Sequence, residues 1–65
     1  MYKIESIGND YWESTTYRKT LEEALEVYNE ELIAAKYAAD EFGPIKVYIM
    51  DEDTREIIVS ESFVN

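Results

Sequence analysis

Both ends of the segment between Thr20 and Pro44 are marked, and that fixes the centre of the fold. Thr20 and Glu23 make a T-x-x-E capping box, in which hydroxyl and carboxylate satisfy amides that a helix start leaves unpaired. Glu22 and Glu23 also suit the positive end of the helix dipole. Gly43 fits a helix stop, and Pro44 blocks continuation. Between them, at about 100° per residue, Leu21, Leu25, Tyr28, Leu32, Ala35, Ala39 and Phe42 share one stripe, with Ala24 beside it. The spacing predicts a single long helix with one face to bury. A coiled-coil seam is the alternative, but only about three heptads are available and the flanking segments need a cover.

Those flanking segments read as strands. Residues 2–7 alternate, Gly8-Asn9-Asp10 suits a turn of positive-φ type, and residues 11–18 are rich in aromatic and β-branched side chains. Beyond the helix, Ile45 to Met50 alternates cleanly, Asp51 to Thr54 is a turn, and Arg55 to Glu61 makes a fourth strand. Residues 62–65 extend that strand or fray. The order ββαββ predicts an α+β fold: a four-stranded antiparallel sheet, spatial order 2-1-3-4, with the helix across one face. Two hairpins pairing between the chains of a dimer are the alternative. Sixty-five residues make one domain, 1–65, with a core that buries only about 60% of the unfolded surface.

Charge is distributed unevenly over this plan. Seven of the fifteen acidic residues and one base, Lys36, lie between Thr20 and Gly43, which puts six of the nine net negative charges on the helix. Glu22, Glu26, Glu30, Asp40 and Glu41 gather opposite the apolar stripe, with Glu23 at the edge. Glu22, Glu26 and Glu30 are successive like-charge neighbours, each pair costing about 0.2–0.5 kcal/mol. Among these carboxylates stand Ile33 and Tyr37, four apart, an arrangement that resembles an interface centre with a charged rim. The bland account is a solvated acidic face with two incidental apolar residues. On the sheet, Ile45, Val47, Ile49, Ile57 and Val59 are expected to face the helix. Tyr48, Met50 and Ile58, joined by Trp12, are then left on the open face as a patch for homodimerisation, unless that face is polar enough to stand in water.

Several chemistries are excluded. Neither histidine nor cysteine is present, which removes the usual general base, the strongest nucleophile and any disulfide, so no enzymatic activity is expected. Asp51-Glu52-Asp53-Thr54 fails the twelve-residue calcium loop, because Glu56 stands where its glycine should and Ser62 where its glutamate should. With two glycines there is no phosphate loop, and no cofactor or metal is expected. A net charge of −9 excludes direct nucleic-acid binding, whose affinity comes from lysine and arginine on phosphates. The apolar runs are far short of the roughly 20 residues of a membrane span. No basic-then-apolar leader follows Met1, so the expected location is the cytoplasm.

The stretch Tyr17-Arg18-Lys19-Thr20-Leu21-Glu22-Glu23-Ala24-Leu25-Glu26 resembles the strand-to-helix junction of the short RNA-polymerase inhibitors of lytic phages. That resemblance covers ten residues, an aromatic before the cap followed by T-L-x-E-A-L-E. It implies a ββαβ core and action by binding a host enzyme. This chain departs from the pattern in its longer helix and its fourth strand, and no binding residue is carried over.

Three functions then compete: an acidic inhibitor or adaptor docking on a basic protein surface, a homo-oligomeric assembly module pairing through the open sheet, and a stand-alone domain without a partner. For the first, the expected contact residues are Glu22, Glu26, Glu30, Ile33, Tyr37, Asp40 and Glu41, and the partner is a nucleic-acid-handling host enzyme. Seven acids along a helix of about 35 Å give one charge per ~5 Å, against ~1.7 Å for duplex DNA. Partial occupancy of a basic groove therefore fits better than full nucleic-acid mimicry.

Overall fold

The computed structural model describes residues 1–9 and 12–64. Of the sequence expectations, Asp10 of the first turn, Tyr11 of the second strand and Asn65 of the tail lie outside the described residues. The chain runs β1 (Tyr2–Ile7), β2 (Glu13–Arg18), α1 (Leu21–Phe42), β3 (Ile45–Asp51) and β4 (Ile57–Phe63). The strands form one antiparallel sheet in the order β2-β1-β3-β4, and α1 covers one face. The α+β fold and the strand order 2-1-3-4 are thus as the sequence predicts.

Thr20 caps α1 from an extended backbone, its oxygen accepting from the Glu23 amide at 3.2 Å while its hydroxyl donates to the Glu23 carboxylate at 2.9 Å. At the other end the Gly43 amide donates to the Ala39 carbonyl at 3.1 Å. Gly43 adopts φ 89° and ψ −166°, outside the usual left-handed cap and in a region open essentially to glycine alone. Twenty-two residues at about 1.5 Å each make a helix of ~33 Å, matching the molecule's longest extent of 33 Å. The strands are shorter, so α1 overhangs the sheet. No helix among the described residues is long and apolar enough to cross a membrane.

The core comprises Ile4, Ala24, Tyr28, Ala35, Ala39, Ile45, Val47 and Ile49, with Val27, Leu32, Ala38, Val59 and Phe63 packed around it. Three helix alanines at the contact let the backbone approach β1 and β3 closely. This turns α1 away from the expected stripe. Leu25 is left 40% exposed and Phe42, at the overhanging end, 41% exposed. Phe42 instead lies against Trp12, with ring centroids 6.2 Å apart. Trp12 stands on the helix side, where its indole N–H donates to buried Ser6 at 2.6 Å, and so does not join the open face.

Three further expectations are corrected. Gly8 is not among the positive-φ residues; glycine stands there because a Cβ would lie 2.9 Å from the Trp12 Cβ and 3.0 Å from Ile45 Cγ1. In the second hairpin it is Arg55, at φ 65°, that takes the left-handed conformation, so β4 begins at Ile57. The β3–β4 register also shifts between Ile49 and Met50, setting Ile57 opposite Met50. Lys3, another neighbour of Met50, pairs in turn with Tyr17. Ile57 is therefore on the open face, contrary to expectation, because a bulge resets the alternation.

Candidate protein-interaction surface

The register fixes which side chains share each sheet face. Ile4, Ile49, Val59 and Thr16 stand side by side under α1, as do Ser6, Val47, Ser14 and Glu61. Opposite faces of α1 then follow from the buried line through Ala24, Tyr28, Ala35 and Ala39. Glu22, Glu26, Glu30, Asp40 and Glu41 are all exposed on the far side, as the sequence predicts. Ile33 is 62% and Tyr37 74% exposed at the crest of that side.

Among the described residues, ion pairs join the amino terminus to Asp53 and Lys3 to Glu5, and neither reaches the helix. The like-charge run Glu22-Glu26-Glu30 therefore stands without a neutralising cation fixed beside it. Glu31 is separate from this face. Its carboxylate accepts from the Ser14 hydroxyl at 3.2 Å, tying α1 to β2. Glu23 belongs to the cap. Five carboxylates, an isoleucine and a tyrosine thus remain unengaged among the described residues along nearly the whole helix, and what they can do chemically is present negative charge around an apolar centre.

The open sheet face is different. Tyr48 and Met50 lie on it as expected but are half-buried, and Ile58 is 44% exposed beside the bulge. At its centre the Glu5 carboxylate accepts from the Tyr48 hydroxyl and from Thr15 at 3.2 Å, and Lys3 approaches at 3.7 Å. The Lys46 ammonium sits 5.8 Å from the Tyr48 ring centroid. The hydrogen bond to Glu5, then burial and neighbouring carboxylates, push the Tyr48 phenol up to about 12. This polar cluster escapes sequence reasoning because its members come from three strands, and only the register brings them together. Alternation alone places Glu5 away from the core, which is the one signal it leaves.

Comparison with known protein families, curated proteins and solved structures returns no match.

Proposed function

We propose that this chain is a small acidic protein-binding module, an inhibitor or adaptor that docks the outer face of α1 on a basic surface of a nucleic-acid-handling enzyme. The observation that carries this reading is the exposure of Ile33 and Tyr37 amid Glu22, Glu26, Glu30, Asp40 and Glu41. Exposing a large aliphatic and an aromatic side chain costs solvation, and lining up like charges costs helix stability. A partner surface offsets both. Desolvated Ile33 and Tyr37 supply the central contact, and the carboxylates speed encounter with a cationic groove and reject acidic surfaces. The phage-inhibitor resemblance at Tyr17–Glu26 agrees with this class of partner.

The competing reading, an assembly module pairing through the open sheet face, draws on exposed Ile7, Tyr17 and Ile57. It is weakened by the Glu5 cluster, which such pairing would have to desolvate at the face's centre.

The test is retention of partners by immobilised protein from a bacterial lysate at low and high salt, beside the double variant Ile33→Glu/Tyr37→Glu. The expected result is a salt-sensitive, cationic partner that the variant fails to retain. Equal retention by the variant would remove the helix face from consideration.

A further inference from the structure

The two edges of the sheet are built differently. In β4 the register shift opposite Met50 interrupts pairing, and Glu61, opposite buried Val47, brings a carboxylate to the core-facing side. Bulges and inward charges are both devices that blunt an edge. β2 has neither. Its six residues pair one-to-one with β1, without a break or a proline.

The hydrogen-bonding direction of β2 follows from its neighbours. The Gly8 amide donates to the Trp12 carbonyl, and the Glu52 amide to the Met1 carbonyl. In an antiparallel ladder bonded and non-bonded pairs alternate. Even-numbered residues of β1 and β2 therefore bond each other, and Glu13, Thr15 and Tyr17 direct their amides and carbonyls outward. The Arg18 guanidinium, which donates to the Tyr17 carbonyl at 2.8 Å, agrees with that orientation.

We infer that the β2 edge is a homodimer interface, pairing antiparallel with β2 of a second copy about a two-fold axis through Thr16. This register sets Thr15 opposite Tyr17 of the second copy, so that outward-directed groups meet. It also sets Ser14 opposite Arg18 and brings Glu13 toward Lys19 of the second copy, at the bend just past β2, twice over by symmetry. Centring the axis on Thr15 would match the backbone groups equally well but would place Glu13 against Tyr17, forfeiting the charge pairing. Residues 13–19 hold one acid and two bases, so in a chain of net charge −9 this edge is where a second copy meets least repulsion. Opposite charges facing across strands stabilise such a pair. The axis runs normal to the sheet, so an eight-stranded sheet forms with both acidic helix faces on one side. The inference is independent of what α1 binds.

Analytical ultracentrifugation over a concentration series at about 0.15 M salt tests it. The wild type should approach twice the 7.6 kDa of one chain as concentration rises. Glu13→Lys and Lys19→Glu should each weaken association by about 10-fold, and the double swap should restore it. Thr15→Pro removes an outward amide together with the hydroxyl that donates to Glu5, so beside Thr15→Val as the control for the hydroxyl it should keep the circular dichroism of the wild type while losing the dimer. A wild type that stays monomeric throughout, or dimers indifferent to both single reversals, would overturn the proposal. If Thr15→Pro fails to fold, the charge swap decides alone.

Discussion

The hydroxyl of Tyr48 shows how one residue couples the open face to stability. Its donation to Glu5 is lost on ionisation, and its pKa is accordingly pushed up to about 12. The unfolded chain releases this proton near pH 10, its ordinary value, so in the folded state the proton is held more tightly. The contribution to stability is full below about pH 10 and is lost as pH rises through about 12. We expect urea midpoints of the wild type to fall over that interval more steeply than those of Tyr48→Phe. Parallel curves would show that the hydrogen bond contributes nothing to the folded state. Tyr28 is a contrasting case. Its buried hydroxyl has no hydrogen-bond partner among the described residues, and burial, with the Glu61 charge, raises its pKa too. The register under α1 puts Glu61 near it without supplying a hydrogen bond.

The helix carries the conflict between stability and function. Thr20, Glu23 and Gly43 each do what the sequence suggests, and three alanines set the close approach to β1 and β3. The outer face does the reverse, keeping three glutamates in line. Glu26→Lys replaces two repulsive neighbours with attractive ones and should stabilise the fold by about 0.5–1 kcal/mol. If the outer face docks on a cationic surface, the same change should slow association several-fold while leaving dissociation nearly unchanged. Ile33→Ala or Tyr37→Ala should instead quicken dissociation, because the lost contact is central and not at the rim. Stopped-flow association and dissociation rates with the captured partner separate the two effects. Rates that moved identically in all three variants would contradict the division into centre and rim.

At the level of the whole molecule, nine net negative charges are carried by a body of 11.4 Å radius of gyration. Self-repulsion at this density opposes compaction, and salt screens it. The melting temperature should therefore rise between about 20 mM and 0.5 M sodium chloride, by roughly 4–8 °C for each kcal/mol recovered. Calorimetry across that range checks the sign; a falling melting temperature would mean that the few ion pairs outweigh the repulsion.

Much of this was determined by sequence alone. The helix limits follow from the capping box and from Gly43-Pro44, signals that act within a turn of themselves. The strands follow from alternation, and their order from short connections that leave few ways to pair. The acidic crest with Ile33 and Tyr37 follows too, because residues on one helix keep their angular spacing wherever the helix packs. Tertiary structure decided what depends on contacts between elements. Leu25 is left exposed because the alanines set the helix's rotation, and Phe42 because it stands at the end of α1 that overhangs the sheet. Gly8 is required by the bulk of Trp12 and Ile45. Ile57 reaches the open face because a bulge shifts β4 against β3. The Glu5 cluster and the contrast between the sheet's two edges exist only in the register, since hydrogen bonding between distant strands, and no local preference, chooses which residues stand opposite each other.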